Sequence, residues 1–131
     1  MPRISLTFIG TGAFCGLIGM IWGMIMAANP DLRYMHPAHA HLNLLGWVTL
    51  SIMGLFYSHP RAVSGRVAWA NFLLVALGTI ILIPPLAILL GDEANLGPKL
   101  GPLLTAPEAM IVAGMMCFLF NVWRTARAPK A

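Results

Sequence analysis

The stretch Val67-Ala68-Trp69-Ala70-Asn71-Phe72-Leu73-Leu74-Val75-Ala76-Leu77-Gly78-Thr79-Ile80-Ile81-Leu82-Ile83-Pro84-Pro85-Leu86-Ala87-Ile88-Leu89-Leu90 decides the fold. It holds no charged residue and is long enough to cross a bilayer, which takes about 20 residues as a helix. Backbone N–H and C=O groups find no water in hydrocarbon, so such a run must satisfy them internally, and helix is the state that does so. Working outward, three more runs share its character, at 4–28, 38–58 and 103–123, none with Lys or Arg in its interior.

The composition agrees. Of 131 residues, 59% are hydrophobic and 9% charged, against about 45–50% and about 25% in soluble domains. A small globule has too little interior for that excess, whereas lipid accepts it. The expected fold is all-α: a single transmembrane domain, 1–131, built as an integral membrane four-helix bundle.

The breaks between runs carry turn chemistry: Asn29-Pro30-Asp31, then His59-Pro60-Arg61 with Ser64-Gly65, then Gly91-Asp92-Glu93 through Gly101-Pro102. Pro84-Pro85 predicts a kink inside the third helix, with freed carbonyls turned to a neighbour. A cleaved leader is the rival reading of 4–28. Arg3 suits it; the length and the lack of a small-residue cleavage site before Asn29 do not.

Charge sets orientation. Arg3, Arg61, Arg66, Arg124, Arg127 and Lys130 share one side, and Arg33 and Lys99 the other. Basic residues stay in the cytoplasm, so both termini are expected there, in the cell inner membrane, with the first and third loops outside. The formal charge of +4 follows from this topology, and no nucleic-acid partner is expected. Trp69 and Trp123, near run ends, suit the interfacial belt. Cys15 and Cys117 read as apolar filler. Gly12/Gly16 and Gly19/Gly23 are two GxxxG pairs on the first helix, a spacing that permits close helix approach. Met20, Met24, Met26 and Met35 cluster toward its outer end and read as filler before soft-metal ligands.

Candidate chemistry concentrates at the outer start of the second helix, Met35-His36-Pro37-Ala38-His39-Ala40-His41-Leu42-Asn43-Leu44-Leu45-Gly46-Trp47, which holds three of the four histidines. Histidine at membrane depth is costly and marks function, and imidazole ligates haem iron, copper and zinc. At about 100° per residue, His39 and His41 point to nearly opposite faces. His36, His39 and Asn43 line one face, and His41 lines another with Leu44, Leu45 and Val48. One face is expected to hold a cofactor while the other meets a helix or subunit. Glu108, the acidic residue inside the fourth run, lies at a depth similar to His41. It is a candidate metal ligand, an orienting partner for a histidine, a proton-relay group, or a first-turn cap. His59, at the opposite end, reads as a loop residue. Arg33 and Tyr34 precede the cluster, where they contact either a haem propionate or lipid headgroups.

The segment His39-Ala40-His41-Leu42-Asn43-Leu44-Leu45-Gly46-Trp47 resembles short four-helix relatives of haem–copper oxidase subunit I, and more broadly the histidine-bearing helices of nitric-oxide reductases and NnrS-like proteins. That resemblance covers about a dozen residues. It implies haem b, with the axial ligand carried over to His41 on the match of Ala40-His41 and the following apolar residues, and with Asn43 placed as in the cbb3-type pattern. His39 is the rival ligand. The large subunits have twelve helices in three arcs of four; this chain has one arc, and lacks the second-haem helix and the His–Tyr copper helix. The resemblance therefore implies one arc of a ring that a homotrimer would complete, with a redox partner possible.

Three function classes follow. The first is a haem-b-binding protein for electron transfer or diatomic-gas binding, with His41 or His39 axial and Arg33 at the cofactor. The second is a copper- or zinc-binding protein using His36, His39, His41 and Glu108, within or between subunits. The third is an assembly subunit without cofactor. Enzymatic turnover has little support: the chain has no paired-carboxylate site, Ser–His–Asp arrangement or nucleotide-binding loop.

Overall fold

A computed structural model describes residues 1–90 and 97–128. Asp92, Glu93 and Lys130, used above for loop and charge readings, lie outside them. The described residues are helical with no strand, and four helices are long and apolar enough to cross a membrane. The chain is a multi-pass helical membrane protein.

Helix α1 spans Arg3–Ala28. The second crossing, α2, spans Pro30–Ser58 and is composite: a 3₁₀ turn at Pro30–Met35, α-helix at His36–His41, a π-helical stretch at Leu42–Thr49 and α-helix at Leu50–Ser58. Helix α3 spans Arg66–Leu90 and runs through Pro84 and Pro85. Helix α4 spans Gly97–Arg127. It begins earlier than the expected 103 and takes in residues 97–102, assigned to the loop from the sequence. Pro98 falls in the first turn, where its missing N–H costs nothing. Pro102 and Pro107 fall inside; each removes one backbone bond, yet the helix continues because lipid offers the backbone nothing better.

Helices α1 and α2 pack as one pair and α3 and α4 as another, and α3 also touches α1 and α2. The backbone of α4 lies chiefly against α3, and its side chains Phe118 and Asn121 reach Phe56 and Tyr57 of α2, as in a four-helix bundle. Small residues let both pairs close. On α1, Gly12, Gly16, Gly19 and Gly23 receive Ser51, Trp47, Asn43 and His39 of α2 respectively. Between α3 and α4, Gly78 meets Pro107 and Ile111, and Gly114 meets Leu74 and Val75. The π stretch keeps the first seam in line. Positions four apart drift by about 40° per step around an α-helix. A π turn holds more residues and cancels that drift, so His39, Asn43, Trp47 and Ser51 all face the glycines. The Thr49 hydroxyl donates to the Leu44 carbonyl at 2.8 Å within this widened turn.

The core sits at the end where α1 starts and α4 finishes, called here the arginine end. Phe8, Leu50, Met53, Tyr57, Ala68, Val75 and Ala76 are buried there. Phe8 stacks on Tyr57 and meets the edge of Phe72, while Phe118 packs against Phe56 and Tyr57. Such aromatic pairs contribute about 0.5–1.5 kcal/mol each beyond area burial. Threaded through the rings is a buried polar chain. Asn121 Nδ2 donates to Tyr57 Oη at 2.9 Å, Tyr57 Oη donates to Asn71 Oδ1 at 3.2 Å, and Asn71 Nδ2 donates to the Gly114 carbonyl at 2.8 Å. It ties α2, α3 and α4 together. Among the described residues, a smaller buried cluster of Cys15, Leu42 and Ile83 lies toward the opposite, histidine end.

Candidate functional site

The histidine end carries three of the four histidines and both described carboxylates, Asp31 and Glu108. The 3₁₀ turn Pro30–Met35 opens α2 and carries Arg33 and Tyr34, both exposed. His36 follows, exposed at the start of the α-helical segment. Pro37 fits that first turn.

His39 and His41 face opposite ways, as their spacing requires. His39 turns to α1. Its ring lies over Gly23, where an added Cβ would come 3.1 Å from Cε1, and meets Trp22 edge-on with ring centroids 6.0 Å apart. Asn43 Nδ2 donates to the His39 carbonyl at 3.0 Å and lies 3.2 Å from its Nε2. Asn43 in turn fills the space over Gly19. His39 is thus a half-buried part of the α1–α2 seam, with both ring nitrogens committed to a tight neighbourhood.

His41 faces away, and its Nδ1 lies 2.7 Å from the Pro37 carbonyl. A carbonyl only accepts, so Nδ1 carries the proton and donates. In the neutral ring Nε2 then keeps its lone pair. Histidines that bind metals use this arrangement, in which a backbone carbonyl fixes tautomer and orientation.

His41 and Glu108 line one open recess of about 300 Å³ between α2, α3 and α4, completed by Leu44, Leu45, Leu82, Ile111 and Val112. The depth match expected from the sequence brings them to the same recess. Buried Pro107 seats the α4 backbone against Gly78 of α3, which fixes the height of Glu108. The volume is at the low end of ligand pockets, about 300–1,000 Å³, and one side is open. A flat ligand against it would keep one face uncovered.

The four candidate ligands do not gather. Among the described residues, no three of His, Cys, Asp and Glu come together as a metal-binding group. His36 is apart on the exposed turn, His39 belongs to the α1 seam, and His41 shares a recess with Glu108. The Tyr57–Asn71–Asn121 chain was not foreseen as a site. Its signal was present, since Asn71 and Asn121 are amides inside otherwise apolar runs. The π stretch had no comparable signal.

Fold and recess define a multi-pass helical membrane protein with His41 and Glu108 in one recess between its helices. No known protein family, curated protein or solved structure matches the chain.

Proposed function

We propose that this chain is a haem-b-binding membrane protein in which His41 ligates the iron and a ring of identical copies, preferably a trimer, encloses the cofactor. One observation carries the reading. His41 lines a recess walled mainly by Leu44, Leu45, Leu82, Ile111 and Val112, while its Nδ1 is held by the Pro37 carbonyl, which leaves the Nε2 lone pair of the neutral ring for a ligand. The donor chemistry fits haem, which needs one imidazole and an apolar wall for the macrocycle. A centre needing three or four protein ligands, as copper and zinc do, has no such set among the described residues of one chain. His41 is favoured over His39 because the His39 ring is pressed on Gly23, Trp22 and Asn43.

The other residues take roles from position. Leu44, Leu45, Leu82, Ile111 and Val112 would exclude water from one face of the ring. Arg33, exposed on the first turn of α2, would pair with a propionate through charge-assisted hydrogen bonds. Glu108 would hold a proton or hydrogen bond beside His41. Bound haem supplies a one-electron change at iron and a position for a diatomic gas. The reading also draws on the likeness of His39–Trp47 to haem–copper oxidase subunit I.

Two features support a homo-oligomer. A carboxylate and an imidazole facing hydrocarbon are costly, and a second copy over the recess removes that cost. The exposed apolar side chains of all four helices, such as Phe14, Leu44, Ile80 and Val112, leave surface for such a neighbour, and closed rotational symmetry is the usual outcome for identical subunits. The proposed setting is the cell inner membrane with both termini cytoplasmic, from the distribution of basic residues.

The test is a pyridine haemochrome assay with elemental analysis on protein purified after expression with haem supplied. Haem b with matching iron supports the reading. Copper or zinc at stoichiometry without iron transfers the site to the second class, and no cofactor at all favours an assembly subunit.

A further inference from the structure

The arginine end of α4 carries a feature the haem reading does not use. Met116, Leu119, Phe120 and Trp123 line one apolar groove of about 520 Å³ along the helix. The rings of Phe120 and Trp123 lie near parallel, 25° apart, with centroids 6.0 Å from one another. Above them sit two guanidinium groups. Arg124 lies 5.7 Å from the Phe120 ring centroid and Arg127 lies 4.1 Å from that of Trp123. Apolar groove, aromatic step and paired cations follow one another along a single helix face.

We infer that this face binds an anionic phospholipid, with an acyl chain along the groove and the headgroup phosphate between Arg124 and Arg127. Charge complementarity selects the occupant. The described carboxylates, Asp31 and Glu108, belong to the histidine end, so none competes for these guanidiniums. The end of α4 contributes only about half a negative charge from its dipole, and two arginines exceed it. A guanidinium held over a ring face by its carbon still has N–H donors for bidentate contact with phosphate oxygens. The cation–π contact also restrains the side chain in advance, which lowers the ordering cost of binding. Trp123 marks headgroup level, so the groove below it runs into the acyl region. The site lies away from the α3 packing surface of α4 at Gly114 and is independent of the histidine recess.

Native mass spectrometry of the full chain from detergent tests this, with phosphatidylglycerol and phosphatidylcholine of identical acyl chains as probes. Phosphatidylglycerol should be retained preferentially, by about fivefold for each arginine engaged. The R124Q/R127Q variant should lose that preference, while R61Q/R66Q, of equal charge change, should keep it. Trp123→Leu, which keeps both charges but removes a stacking ring, should weaken it. Equal retention of the two lipids by the unmodified chain would overturn the site. So would a preference that survives in R124Q/R127Q, or that falls equally in R61Q/R66Q, which would indicate diffuse charge. Inorganic phosphate displacing the lipid at low millimolar concentration would overturn the lipid assignment. Circular dichroism melting of each variant separates loss of binding from loss of fold.

Discussion

His41 donates its Nδ1 proton to the carbonyl of Pro37, one helical turn back, at 2.7 Å. This bond fixes which nitrogen the neutral ring can offer, and the side chain lines the recess that Glu108 shares. His39, two positions earlier, is held in the opposite direction against Gly23. The two histidines therefore have different work: one packs helices and the other is available to a ligand.

The glycine seam gives a graded mutational series. A Cβ at Gly16 would come 2.8 Å from the Trp47 ring, and one at Gly19 would press on the Asn43 amide. Gly16→Ala and Gly19→Ala should each lower stability by about 1–3 kcal/mol through overpacking. Gly10 has open space around it, so Gly10→Ala should be neutral or slightly stabilising. Thermal unfolding in detergent followed by circular dichroism reads the difference.

The two buried asparagines should differ. Asn71 both accepts from Tyr57 and donates to the Gly114 carbonyl, so Asn71→Ala strands two groups and should cost about 1–2 kcal/mol. Asn121 donates one bond, and its Oδ1 is buried without a partner among the described residues. Asn121→Leu trades that bond for removal of an unsatisfied oxygen and should cost under about 0.5 kcal/mol. Denaturant titration of both variants by tryptophan fluorescence checks the order.

Assembly should depend on cofactor and recess together. With haem bound, native mass spectrometry should find three copies of the chain. Leu44→Arg, placing a charge on the recess wall, should shift the population to monomer. Monomer as the main species of the unmodified, haem-loaded protein would remove the ring from the account.

Much of the fold was legible because hydrocarbon leaves few choices. An uncharged run such as 67–90 can only be a helix there, and α1 and α3 match their expected bounds to within a residue. The opposite directions of His39 and His41 followed from 100° per residue, and the shared depth of His41 and Glu108 from rise alone. What was not legible depended on partners. Two GxxxG pairs announced a close approach, but only the packed chain shows His39, Asn43, Trp47 and Ser51 filling it. The π stretch at Leu42–Thr49 exists to keep those four in line, a requirement set by α1. Helix α4 began earlier than expected because Pro102 reads as a breaker in water, where the chain has alternatives that lipid denies it.

The central claim is that His41, and not His39, holds a haem iron. The most direct measurement is the optical spectrum of three purified proteins expressed with haem: the unmodified chain, His39→Ala and His41→Ala. A Soret band should be present in the first two and lost in His41→Ala, with all three equally helical by circular dichroism. A Soret band that persists in His41→Ala, or that is absent from the unmodified chain, would contradict the account.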